Sequence, residues 1–256
     1  MADPEPTLAV DPVDGSAPEA ARILFGDRLE VARHYVALLA STGVEHGLVG
    51  PREVPRLWTR HLLNCAVAGE LIPQGARVVD VGSGAGLPGI PLALARPDLQ
   101  VHLVEPLLRR VRWLTASIDD LGLSHVTVHR GRAEDLPASE ASGIVTARAV
   151  ARLARLAAWC APVVLPGGRL LALKGSTAAA ELDEDRTALA RAGFDEAVVR
   201  SVGAGVVEPP TIVVECWRSP SRSSGRGSGG ASSSGKPQRT GGRGRGRSGR
   251  RARREE

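Results

Sequence analysis

The ten residues Asp80-Val81-Gly82-Ser83-Gly84-Ala85-Gly86-Leu87-Pro88-Gly89 constrain this chain more than any other segment. They follow directly on an apolar run, residues 77–81 (RVVDV), and open a short helix predicted over 88–95. A buried strand that passes through a glycine-rich turn into a helix is the first half of a β-α-β unit. Glycines there let the backbone turn tightly and let a ligand approach without a Cβ in the way. Amides at the start of the following helix suit a carboxylate or a phosphate.

The rest of the chain continues the alternation. Residues 101–105 (VHLVE), 126–130, 144–147 and 170–174 read as strands, and 107–121, 153–160 and 178–192 as helices. Strands alternating with helices at this spacing give a parallel sheet covered on both faces. Two final runs, 196–202 and 212–217, have no helix between them and are expected to form an antiparallel hairpin at the sheet edge. The expectation is an α/β fold of the Rossmann-like class I methyltransferase type. It has a seven-stranded, mostly parallel sheet with an antiparallel last strand, preceded by N-terminal helices; a dinucleotide-binding sheet normally has six parallel strands. Those helices are marked by Phe25, Leu29, Ala32, Val36 and Leu39 at three- and four-residue steps, and, after Pro55, by Trp58, Leu62, Cys65 and Ala68. The domain expectation is therefore a helical region over 20–72 and a cofactor-binding domain over 73–218.

Charge is distributed unevenly. Residues 1–19 contain five acids and no bases and read as a disordered acidic leader. Residues 219–256 are Ser, Gly and Arg, with eleven bases against two acids, and read as a disordered basic tail. The high isoelectric point belongs to that tail, so the body cannot be called a basic nucleic-acid clamp. The leader lacks the basic and apolar regions of a secretory signal, and the longest uncharged stretch, 81–95, is too short and too rich in Gly and Pro for a membrane span. Cys65, Cys160 and Cys216 have no CxxC spacing, which argues against a disulfide framework or a zinc site and for a cytoplasmic location.

Asp80, two residues before the first glycine, leans towards S-adenosylmethionine. Glu105 ends the second strand 23 residues beyond Gly82, where a carboxylate can accept both ribose hydroxyls of an adenosine. That placement serves NAD and S-adenosylmethionine alike and names neither.

With these residues in place the chain resembles the ribosomal small-subunit methyltransferase G family, also called glucose-inhibited division protein B. The likeness is carried by DVGSGAGLPGIPLALARP, RRVRWL, RAEDLP, VTARAVARL and ALKG in that order, over about residues 60–174. It implies a cytoplasmic bacterial enzyme that methylates guanine N7 in the decoding-centre hairpin loop of 16S ribosomal RNA, on the 30S subunit or an assembly intermediate. It places Asp80, Gly82, Gly84, Leu87, Glu105, Ala133, Glu134 and Arg148 at the cofactor, and Arg60, His61 and Lys174 at the RNA. Four departures stand out: Glu105 where the family usually has Asp, Asn64-Cys65 where Asp-Ser is common, no Asn-Leu-Thr segment upstream, and Pro209-Pro210-Thr211 in place of an arginine.

Guanine N7 is a lone-pair acceptor with no proton, so it can attack a sulfonium methyl without a general base. Catalysis then rests on holding the reacting atoms in line. The reaction moves positive charge onto the imidazole ring, which an adjacent arginine would disfavour. Arg148 is the candidate catalytic residue, assigned to positioning through guanine O6, a phosphate or the cofactor carboxylate, with a purely structural ion pair as the alternative. Arg60, His61 and Lys174 stand equally for RNA contact or structural pairing. Cys160 and the tryptophans Trp58, Trp113 and Trp159 are expected in the core. The basic tail is expected to bind RNA phosphates without sequence preference. A small-molecule methyltransferase, a nicotinamide dehydrogenase and a non-enzymatic RNA-binding factor remain as rivals.

Overall fold

The computed structural model describes residues 16–148 and 151–220, so residues 1–15 of the acidic leader and 221–256 of the basic tail lie outside them. Residues 16–19, read as the end of the leader, belong instead to the folded body, with Ala17 buried in the core and Glu19 opening the first helix. Five parallel strands are laid down by alternation: β1 (Arg77–Val81), β2 (Gln100–Glu105), β3 (Val126–Arg130), β4 (Ser142–Arg148) and β5 (Val164–Lys174). The edge pair β6 (Phe194–Val202) and β7 (Thr211–Arg218) completes a seven-stranded sheet of order β3-β2-β1-β4-β5-β7-β6, with β7 antiparallel to both neighbours. The order reverses beside β1, so the ends of β1, β2 and β4 diverge there and leave the crevice in which such sheets bind ligands.

The sheet is covered by α1 (Glu19–Phe25), α2 (Leu29–Leu38), α3 (Asn64–Ala66), α4 (Gly89–Ala95) and α5 (Leu108–Asp120) on one face, and by α6 (Leu153–Cys160) and α7 (Ala178–Arg191) on the other. Each face has its own core. Phe25, Tyr35, Trp58, Leu62, Ile90 and Leu103 belong to the first, and Val79, Val104, Leu153, Cys160 and Phe194 to the second. A fully buried Leu or Ile contributes roughly 1.5–3 kcal/mol. The N-terminal helices and the sheet share the first core, so neither buries its apolar face without the other.

Two local differences from the sequence reading have clear causes. The expected helix over 20–40 is broken at Gly26, whose φ of 47° no helix accommodates, and it ends in a π turn over Leu39–Gly43. Strand β5 begins six residues earlier than expected because Pro166-Gly167-Gly168, which reads as a turn, runs through the sheet beside a register shift at Ser142/Ile144. A Cβ on Gly168 would stand 2.9 Å from the Gly143 carbonyl oxygen, so only glycine lets the two strands approach there. All three cysteines are free and buried, as expected.

Candidate functional site

The glycine turn caps β1. Gly82, Gly84 and Gly86 have φ of 72°, 58° and 92°, the left-handed region that favours glycine. The turn is also closed on itself. The Gly82 amide donates to the Val104 carbonyl at 2.9 Å, Gly86 to Ser83 at 2.7 Å, and Gly89 to Asp80 Oδ2 at 3.1 Å. The amides expected to be free for an anion are therefore committed within the loop, a correction to the sequence reading. A Cβ on Gly89 would lie 2.3 Å from Leu103 and 2.9 Å from Asp80 Oδ2, whereas one on Gly84 would meet nothing nearer than 3.8 Å. Gly89 is thus a packing glycine, and Gly84 leaves open space against the loop where a ligand can lie.

Asp80 is completely buried, and burial raises its carboxyl to about 7, against the pull of the Gly89 amide. Its Oδ1 has no hydrogen-bond partner among the described residues. Glu105 is also buried. Its Oε2 accepts from the Gly84 amide at 3.1 Å and its Oε1 from Leu107 at 3.0 Å, with Arg110 3.6 Å away. The longer Glu thus reaches across to hold the glycine turn, and each oxygen keeps lone-pair capacity for a further donor.

A cavity of about 490 Å³ opens at the ends of β1, β2 and β3. Gly82, Glu105, Ala133 and Glu134 line it, as the sequence anticipated, together with Arg110, Arg132, Arg155 and Trp159. Trp58 and Trp113 are buried, as expected. Trp159 is not in the core: it is half-buried at the cavity, with the Arg155 guanidinium 4.7 Å above its ring.

A second cluster joins β4 to the N-terminal helices. Arg148 Nη1 donates to the His61 carbonyl at 3.3 Å and Cys65 Sγ at 3.0 Å, and Nη2 to the Arg60 carbonyl at 3.2 Å and His61 Nδ1 at 2.7 Å. Arginine can only donate, so His61 Nδ1 accepts, and the His61 proton sits on Nε2, donating to Glu53 Oε2 at 2.8 Å. Burial and the Arg148 charge lower His61 to about 4, so the ring is neutral. Arg60 and His61 lie in a π-helical turn, Leu57–Leu63, a winding concentrated at functional sites. Cys65, one of the departures noted in the sequence, places its Sγ against the Arg148 guanidinium.

The sequence reading put Arg148 at the cofactor pocket. Its terminal nitrogens are instead taken up by the N-terminal helices, and it is not among the residues lining the cavity. Lys174 stands apart from this cluster; its amine donates to the Ala151 carbonyl at 2.8 Å and to Glu181 Oε1 at 2.9 Å, tying β5 to α7. Asp80, Gly84 and Leu87 belong to the turn without lining the cavity.

A family model described as rRNA small subunit methyltransferase G matches residues 28–208. The chain belongs to this family. The ribosomal RNA small subunit methyltransferase G of Salinispora arenicola is 56% identical over 218 residues, covering 81% of this chain and 90% of the relative. That of Streptomyces avermitilis is 58% identical over 199 residues, covering 77% and 84%. The apo S-adenosylmethionine-dependent methyltransferase SibL shares the fold, with a TM-score of 0.51 at 20% identity over 78% of this chain and 70% of its own. The family uses S-adenosylmethionine.

Within this family setting, two residues that sequence reasoning passed over gain a role. Tyr35 is fully buried on α2, and its hydroxyl donates to the Ala85 carbonyl at 2.7 Å, propping the glycine turn from the N-terminal helix. The spacing 25–32–35–39 is as regular as the one chosen and would have found it. Glu53 gathers His61, Arg56 at 2.6 Å and Arg60 at 3.5 Å. Nothing in the sequence around Glu53 announced that. Among the described residues, no helix is long and apolar enough to cross a membrane.

Proposed function

We propose that this chain methylates N7 of a guanosine in the decoding-centre hairpin loop of 16S ribosomal RNA, on the 30S subunit or its assembly intermediate. The observation that carries the reading is the cavity at the strand ends. There the start of the glycine turn at Gly82, a strand-end carboxylate and the Ala133-Glu134 turn line one cavity with three arginines, Arg110, Arg132 and Arg155. The carboxylate suits ribose hydroxyls, and the arginines suit a polyanion or the cofactor carboxylate.

The residues present fit S-adenosylmethionine. Gly82 and Gly84 provide the approach, Glu105 the ribose acceptor, and Ala133 and Glu134 a border for the adenine. Asp80, sealed from solvent, holds Gly89 and so fixes the shape of the turn, while Leu87 packs at its far end. When bound, the cofactor supplies a methyl group on a positively charged sulfur.

This chain's own groups have little proton chemistry to perform. His61 is neutral with both nitrogens engaged, and burial raises the Tyr35 phenol and the Cys65 thiol. Such a setting suits a nucleophile that arrives with a free lone pair, as N7 does. Arg148 acts as a positioning residue: it fixes Arg60 and His61 relative to the end of β4, and through them the face on which RNA sits. Arg60, half-exposed, offers a phosphate contact there, and Lys174 sets the α7 side.

The test is methyl transfer from tritiated cofactor to 30S subunits, followed by mapping of the modified nucleotide. A single N7-methylguanosine is expected; label at another atom, or none, refutes the reading. Arg148→Ala should lower turnover strongly and raise KM for RNA while the fold survives, and Arg148→Lys should rescue it poorly because one ammonium cannot span the same four acceptors. Unchanged turnover in the alanine variant would remove Arg148 from the mechanism.

A further inference from the structure

The connection from β3 to β4 differs from the other crossovers of the parallel sheet. Residues 131–141 contain two 3-10 turns, Ala133–Asp135 and Ala138–Glu140, where the others have an α-helix. The strip of β2 and β3 that a helix would cover carries histidines instead of aliphatic side chains. The register pairs His102 with Thr127 and His129 with Val104, which puts both histidines on the same face in diagonal positions. Their rings lie edge to edge, with centroids 5.1 Å apart and planes 13° apart.

His102 Nδ1 lies 2.9 Å from His129 Nε2 and 3.1 Å from Glu140 Oε2, and the three atoms all lie within 4.8 Å of one another. This convergence is hard to satisfy with protons. If His129 donates to His102 Nδ1, the latter turns a lone pair towards a carboxylate oxygen. If His102 donates instead, one proton faces two acceptors. Glu140 Oε2 is in fact buried without a hydrogen-bond partner among the described residues. Arg77 Nη1 stands 3.8 Å from that oxygen, but it donates to the Ser139 carbonyl at 2.8 Å. A cation that accepts all three lone pairs resolves the conflict.

We propose that His102, His129 and Glu140 form a binding site for a divalent transition-metal ion, with Zn²⁺ the best match and a water in the fourth position. Two imidazoles and a carboxylate are a donor set of the type zinc takes, and bonds of about 2.0–2.2 Å in a tetrahedron put ligand atoms about 3.3–3.5 Å apart. To take an ion the two imidazoles must turn out of their in-line contact until their lone pairs converge beside Glu140 Oε2, with the 2.9 and 3.1 Å separations opening by a few tenths of an ångström. All three side chains are partly buried, so the cluster lies near the surface, although Glu140 Oε2 itself is covered. The bound ion would pin the Glu140 turn to β2 and β3, and with it the segment carrying Ala133 and Glu134 at the cavity wall.

The test uses the full-length protein stripped by chelator and titrated calorimetrically with Zn²⁺ alone. One site is expected, together with a rise in Tm. His129→Gln and Glu140→Gln should each weaken zinc binding by more than the roughly 10–100-fold typical of losing an outer-shell partner, with little change in the zinc-free Tm. Glu140 sits on a surface turn, so its variant decides the matter even if His129→Gln folds poorly. The proposal falls if the wild-type protein binds no zinc, or if Glu140→Gln binds it as tightly as wild type, which would put the ion elsewhere.

Discussion

Asp80 and His61 are displaced in ways that oppose each other, and the intact protein should hide both. Burial raises Asp80 from 3.8 to about 7, and burial with the Arg148 charge lowers His61 from 6.5 to about 4. Between about pH 4 and 6.5, folded Asp80 keeps a proton that the unfolded chain has released, so this group makes stability fall as pH rises, by at most about 1.4 kcal/mol per unit. In the same interval, folded His61 is neutral while the unfolded imidazole is protonated, so this group makes stability rise with pH at the same limiting rate. The sum is a nearly flat profile. Asp80→Asn keeps an oxygen for the Gly89 amide and removes the charge, so its stability relative to wild type should climb by about 2 kcal/mol between about pH 5 and 6.5. His61→Gln should decline by about the same amount relative to wild type over that interval. The lowered pKa of His102 adds a rise of its own, but it is common to all three proteins and drops out of the differences. Urea unfolding at several pH values, fitted with a common m-value, measures these differences directly. Parallel curves for Asp80→Asn and wild type would mean that Asp80 ionises normally, and the picture of a sealed carboxyl under the glycine turn would be wrong.

Three further outcomes can be checked. Tyr35→Phe leaves the buried Ala85 carbonyl unpaired and should cost about 1–3 kcal/mol, read as a lower Tm, and should weaken binding of the demethylated cofactor in calorimetry. Gly89→Ala places a methyl 2.3 Å from Leu103 and should cost about 1–3 kcal/mol, with a larger loss of cofactor affinity than an alanine substitution at a surface glycine such as Gly122. Removing residues 219–256 should raise the Kd for RNA and flatten its salt dependence while single-turnover methyl transfer stays near the wild-type rate; an unaltered salt slope would show that the tail does not contact phosphates.

The parallel core was legible because its signals are local. An apolar run, a glycine turn and a helix each announce themselves within a few residues, so β1, β3 and α6 fall where the sequence put them. The paired runs with no helix between them identified β6 and β7 for the same reason. The cavity residues Gly82 and Glu105 follow from position at strand ends, which topology fixes, whereas Ala133 and Glu134 came only with the family resemblance. What escaped the sequence was long-range pairing. That Arg148 would grip the backbone of Arg60 and His61, 88 and 87 residues away, has no local signature, and neither does Tyr35 reaching the loop 50 residues on. The loop amides looked free because the sequence shows donors but not the acceptors that fold onto them. Trp159 looked like core because helical periodicity cannot tell a buried stripe from one that borders a cavity.

The grip of Arg148 on the N-terminal turn also bears on how this chain could be cut. A fragment beginning near residue 73 would retain every strand and the whole glycine turn, and on paper it would be a minimal methyl-transfer unit. It would also lose the Tyr35 strut beneath Ala85, uncover the side of α4 that packs on α1 and α2, and leave the Arg148 guanidinium with no carbonyls to hold. The opening helices are therefore better regarded as part of the enzyme's chassis than as a detachable RNA adaptor, and attempts to transplant them onto another catalytic body would have to carry the β4 arginine along.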